Sequence, residues 1–189
     1  TITEDDSSAG LFTCTNDQTF DNTTDGGFTL TNSGTIISTV NNSAARVIIK
    51  NSGTIQATGN NKAVIKGANS SNLTVTNNSG GTIQGTKKAL NIGSGTGAQI
   101  TNAGAITSTG NYAIHATGNT QTLTNSGTIT ATEFGVNFTG INNTITNSGN
   151  IFATTTKGIN IEGSSSTITN QSGGLIRAGD EDSTTNTHL

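Results

Sequence analysis

Apolar residues in this chain come singly or in short groups, and Asn, Ser, Gly or Thr close each group. One phrase returns seven times. It reads Leu30-Thr31-Asn32-Ser33-Gly34-Thr35-Ile36, then Ile49-Lys50-Asn51-Ser52-Gly53-Thr54-Ile55. Copies of the same length begin at Ile100, Leu123 and Ile145, and copies with two inserted residues begin at Val75 and Ile168. The phrase Asn falls at Asn32, Asn51, Asn77, Asn102, Asn125, Asn147 and Asn170, with gaps of 19, 26, 25, 23, 22 and 23. A second phrase lies between the copies: Ala63-Val64-Ile65, Ala89-Leu90-Asn91-Ile92, Ala113-Ile114-His115-Ala116, Gly135-Val136-Asn137-Phe138 and Gly158-Ile159-Asn160-Ile161. Each period therefore predicts three short strands with alternating inward and outward side chains, separated by polar turns.

A period near 23 with three strands predicts an all-β fold: a three-sided parallel β-helix (a β-solenoid) of about seven coils. A leucine-rich repeat needs Leu at several fixed positions and a helical half, and a propeller blade needs a longer period. In a β-helix nearly every strand N–H donates to the next coil, which excludes Pro, and the chain has none. The seven phrase Asn residues are expected to form a structural column at one corner, bonded to one another and to turn backbone. A coil buries about five aliphatic side chains at roughly 2 kcal/mol each. Ordering its backbone costs on the order of 1–2 kcal/mol per residue. Single coils therefore fold only by stacking.

Composition sharpens this reading. Thr (39), Asn (25), Ser (18) and Gly (25) dominate, and only 10% of residues are charged. Such a chain makes no helical bundle, because these are poor helix-interior residues. No apolar run reaches the ~20 residues of a membrane-spanning helix. The repeat and a net charge of only -3 argue against a disordered coil. The charge is unevenly spread. Six acidic residues precede position 26, three more are Asp180, Glu181 and Asp182, and all eight basic residues lie between Arg46 and Arg177. Residues 1–28 read as an N-terminal cap or irregular first coil, 29–178 as the repeats, and 179–189 as a polar acidic tail, with the whole expected to be part of a longer solenoid. Any signal peptide is expected to have been removed already.

The phrase Ile/Leu-Thr-Asn-Ser-Gly-Thr-Ile resembles the repeats of classical (type V secretion) autotransporter passenger domains of Gram-negative bacteria, over roughly residues 29–178. The resemblance implies a right-handed helix, export through a missing C-terminal β-barrel, and residence at the bacterial surface or in the medium. It implies virulence-related work: adhesion to a host-cell receptor or glycan, or self-association.

Candidate chemistry is sparse. No catalytic set is expected, because His115 and His188 lack a nucleophile motif around them, and no metal or cofactor site is expected. His115 takes the outward place that Asn91, Asn137 and Asn160 hold in other coils, which predicts a solvated surface residue. A carbohydrate-cleaving β-helix would need clustered carboxylates, and the repeats offer only Glu133 and Glu162. Nucleic acid is not an expected partner. Two surfaces remain. Alignment of the second phrase puts Lys62, Lys88, Tyr112, Phe134 and Lys157 in one column, with Lys87 and Lys66 beside it, a ridge suited to an anionic glycan or host surface. Thr pairs flank the inward residue of the first phrase at Thr29/Thr31, Thr74/Thr76, Thr122/Thr124, Thr144/Thr146 and Thr167/Thr169, interrupted at Ile48/Lys50 and Gln99/Thr101. That array resembles the Thr-x-Thr face of ice-binding (antifreeze) solenoids and defines an alternative function.

Overall fold

The computed structural model describes residues 2–4, 11–14, 20–22, 29–37, 40–42, 46–57, 63–66 and 71–179. The chain winds through three sheets in turn. The first holds Ile2–Glu4, Leu11–Cys14, Thr29–Asn32, Ile48–Asn51, Thr74–Asn77, Gln99–Asn102, Thr122–Asn125, Thr144–Asn147 and Thr167–Asn170. The second holds Thr35–Ile37, Thr54–Gln56, Thr82–Gly85, Ala105–Ser108, Thr128–Ala131, Asn150–Ala153 and Leu175–Ala178. The third holds Phe20–Asn22, Val40–Asn42, Ala63–Lys66, Lys88–Gly93, Tyr112–Ala116, Phe134–Phe138 and Lys157–Ile161. Among the described residues every lateral pairing is parallel except Ile2–Glu4 against Leu11–Cys14. The fold is a parallel β-solenoid, and six windings carry the chain from Thr29–Asn32 to Thr167–Asn170.

Register follows the repeat. Leu30, Ile49, Val75, Ile100, Leu123, Ile145 and Ile168 are successive lateral neighbours. Ile36, Ile55, Ile83, Ile106, Ile129, Ile151 and Ile176 form a second column. Val40, Ile65, Leu90, Ile114, Val136 and Ile159 form a third. From Leu30 to Ile151 these side chains are buried, and they fuse into one core along the axis. Alternation does the sorting: in Gln99–Asn102, Ile100 and Asn102 turn inward while Gln99 and Thr101 face water.

The corners show why the intervening residues are what they are. After Asn51, Asn102, Asn125 and Asn147 the turn presses backbone on backbone, whereas the longer copies put Gly80 and Gly173 at φ 82° and 85°. A Cβ at Gly127 would land on the Gly104 carbonyl oxygen, and one at Gly149 on that of Gly127. Close approach, not unusual φ, demands glycine there. The corner before the first sheet is different. Arg46, Asn72, Gly97, Thr120, Asn142 and Ser165 all take a left-handed conformation, with φ of 57°, 59°, 71°, 58°, 59° and 58°. Each sits three residues before the inward aliphatic of its phrase. The small second-phrase residues have a packing cause. Ala89 and Ala113 are fully buried, and a Cβ at Gly135 would lie 2.8 Å from Ile151 Cγ2 on the second sheet.

Candidate interaction surfaces

Every phrase Asn points inward, and together they form a continuous hydrogen-bonded ladder. Asn32 Nδ2 donates to Asn51 Oδ1 at 2.7 Å, Asn51 to Asn77 at 2.8 Å, and Asn77 to Asn102 at 2.8 Å. The chain of bonds runs on through Asn125 and Asn147 to Asn170 at 2.7–2.8 Å. Each amide also donates to its own turn: Asn102 to Gly104 O at 3.2 Å and Asn125 to Gly127 O at 3.2 Å. Asn51, Asn77, Asn102 and Asn147 are fully buried. The ladder satisfies corner carbonyls that would otherwise be stranded in the core, so its work is structural.

Sequence reading missed a second polar stack. Gln121 and Asn143 are fully buried, two residues before Leu123 and Ile145. Gln121 Oε1 accepts from Ala98 N at 3.0 Å, and its Nε2 donates to Gly95 O at 2.6 Å and Asn119 O at 3.0 Å. Asn143 Oδ1 accepts from Gln121 N at 2.8 Å. Coils nearer the N-terminus fill the same place with Val47, Leu73 and Ala98, so residue type gave no repeat to read.

The outer surface of the first sheet carries the Thr pairs in register. One column runs Thr74, Gln99, Thr122, Thr144, Thr167, and its neighbour runs Thr76, Thr101, Thr124, Thr146, Thr169. Nine of these ten positions are Thr and none is charged. Toward the N-terminus Ile48 and Lys50 interrupt the columns before Thr29 and Thr31. Among the described residues none of the nine hydroxyls makes a hydrogen bond within the protein. Thr hydroxyls at corners behave differently: Thr132 Oγ1 bonds Thr109 O at 2.9 Å, and Thr155 Oγ1 bonds Thr132 O at 2.8 Å.

The ridge lies on the third sheet, where Lys88, Tyr112, Phe134 and Lys157 are lateral neighbours. Lys62 lies outside the described residues, and the register gives the place beside Lys88 to Ala63. The cause is the inward residue: buried Ile65, not Val64, pairs with Leu90, which sets Lys66 beside Asn91. Tyr112 and Phe134 stack with centroids 5.3 Å apart and planes at 16°, and the Lys88 ammonium sits 5.2 Å from the Tyr112 centroid. Strand spacing of about 4.8 Å imposes this, so the rings spend their faces on one another. Lys88 Nζ also donates to Asn91 Oδ1 at 3.3 Å and approaches His115 Nδ1 at 3.2 Å. The same Nδ1 lies 3.1 Å from Asn91 Oδ1, so it accepts from the ammonium in one tautomer of His115 and donates to the amide oxygen in the other. Lys157 Nζ donates to Asn160 Oδ1 at 2.9 Å. The amino groups of Lys88 and Lys157 are thus tied to the surface, and Lys87 stands half-buried beside them.

His115 keeps its expected outward column with Asn91, Asn137 and Asn160 but is not freely solvated. Tyr112 packs 4.9 Å from its ring. Burial, and then the Lys88 charge, lowers its pKa to about 4, so it is neutral near pH 7. Burial, and then Lys87, also lowers the pKa of Lys88. Among the described residues no three His, Cys, Asp or Glu side chains gather as a metal site. Comparison of the chain with protein-family models, curated proteins and solved structures returned no match.

Proposed function

We propose that the chain is a non-enzymatic interaction module of the autotransporter-passenger kind, displayed at a bacterial surface, where it acts in adhesion or self-association. The observation that carries the reading is the Thr array. Its hydroxyls are unengaged within the described protein and uncharged, and they repeat at fixed intervals on a rigid support. The array spans roughly 25 Å by 10 Å. That is a few hundred Å², well short of the ~800 Å² per partner of an ordinary stable interface. A single copy therefore binds weakly, and many copies on one surface bind by avidity.

The experiment is display of the chain at high density on beads or cells. Clumping, or retention on host cells, supports the reading, with the soluble chain staying monomeric at micromolar concentration. Thr76→Lys with Thr124→Lys and Thr146→Lys sets like charges on the contact face and should disperse the clumps. No clumping and no cell retention by the wild type would defeat the proposal. The ridge is tested beside it: Lys62, Lys87, Lys88 and Lys157 changed to Ser, with heparin retention as the readout.

A further inference from the structure

We propose that the outer surface of the first sheet, from Thr74–Asn77 to Thr167–Asn170, binds the surface of ice crystals. The ligand is the ordered lattice of water itself. The inference needs only the array's geometry and holds whether or not the adhesion reading does.

Four observations on the molecule converge. First, the array is periodic in two directions. Thr residues two apart on a strand, such as Thr122 and Thr124, repeat at about 6.7 Å, and lateral neighbours such as Thr124 and Thr146 repeat at about 4.8 Å. Both intervals lie close to the in-plane repeats of water oxygens on a prism face of ice. Second, the hydroxyls are unspent. Among the described residues all nine lack a hydrogen bond within the protein, while Thr132, Thr154 and Thr155 at a corner spend theirs on backbone carbonyls. Third, the side chains hold still. A β-branched side chain on a strand has few χ1 choices, and the strands beneath are fixed on a close-packed core. Fourth, charge stays off the face. The ten positions hold nine Thr and Gln99, and Lys50 stands just outside the array. A charged head orders water around itself and would break a lattice match. Thr instead offers a hydroxyl that joins the lattice and a methyl that orders a cage of water over it.

The other two faces fail these criteria. The second sheet mixes Gln84, Thr107, Thr130, Phe152 and Arg177 along one column. The third carries Lys88, stacked rings and Lys157. The second sheet's other outward column repeats Thr35, Thr54 and Thr82, but Ile37, Gln56 and Gln84 stand beside them, so among the described residues the paired Thr columns belong to the first sheet.

The test is freezing-point hysteresis, with ice-crystal habit and recrystallisation recorded on the same samples of soluble chain. Three proteins are compared: wild type, Thr124→Lys on the face, and Thr130→Lys on the second sheet as a control. Circular dichroism verifies that each keeps its strand signal. The expected result is faceted crystals and hysteresis with wild type and Thr130→Lys, and at least a several-fold loss with Thr124→Lys. Wild type that freezes like an equal mass of inert protein overturns the proposal. So does a folded Thr124→Lys variant with full activity, or equal loss from both variants. Clumping of displayed chains is scored separately, so failure of this proposal leaves the adhesion reading standing, and the reverse.

Discussion

Thr120 sits at φ 58°, a conformation that L residues with a branched Cβ resist. Its equivalents in neighbouring coils are Gly97 and Asn142, which tolerate the left-handed region. Thr120→Asn should therefore stabilise the chain by about 1 kcal/mol. For a chain this long that raises Tm by about 2–4 °C in a thermal melt. His115 gives the second prediction at this scale. Its folded pKa, about 4, is below the ordinary 6.5, so the folded state resists taking up a proton that the unfolded chain accepts. Stability is then fully present above pH 6.5 and declines as pH falls from 6.5 to 4. The ring keeps contact with water, and screening leaves an effect of about 1–2 kcal/mol. His115→Asn matches Asn91 and Asn137 in the same column and removes the proton. The difference between wild-type and variant urea stabilities should change over this window and stay flat above it.

At the scale of the element, the Asn ladder is the sharpest claim. Asn102 donates to Asn125 and accepts from Asn77, so both amide atoms are committed. Asn102→Asp keeps the shape but loses the donor and buries a charge against the Asn125 oxygen. It should cost about 3 kcal/mol or more near neutral pH, and less in acid, where a protonated carboxyl can donate again. Urea titration at two pH values measures this. Strand positions were legible in the sequence because Leu30, Ile36 and their equivalents recur at a fixed phase and alternate with polar residues. The Thr columns were legible for the same reason, although Thr101 looked like part of a break and in fact completes its column. The left-handed corner was not legible. It recurs at a constant offset, but Arg46, Asn72, Gly97, Thr120 and Ser165 share no chemistry to mark it. Lys62 was misplaced because a short phrase with two adjacent aliphatics, Val64 and Ile65, fits either inward assignment. Burial of Ile65 decides it.

For the whole molecule, stability is a sum of coils and the contacts between neighbours. Deleting residues 103–125 joins Asn102 to Ser126 and removes one complete coil while restoring the phrase. The shortened chain should fold, with unchanged strand signal per residue and a urea m-value reduced roughly in proportion to its length. Deleting 103–114 alone puts third-sheet residues out of phase and should abolish cooperative unfolding. Both surface proposals share one premise: equivalent residues of successive coils stand directly above one another. Distance measurement between spin labels at Thr76→Cys and Thr169→Cys, with Cys14→Ser, tests that premise most directly. Four coil steps separate the two positions, so the account expects a narrow distribution near 20 Å. A broad distribution centred well beyond that distance would contradict it.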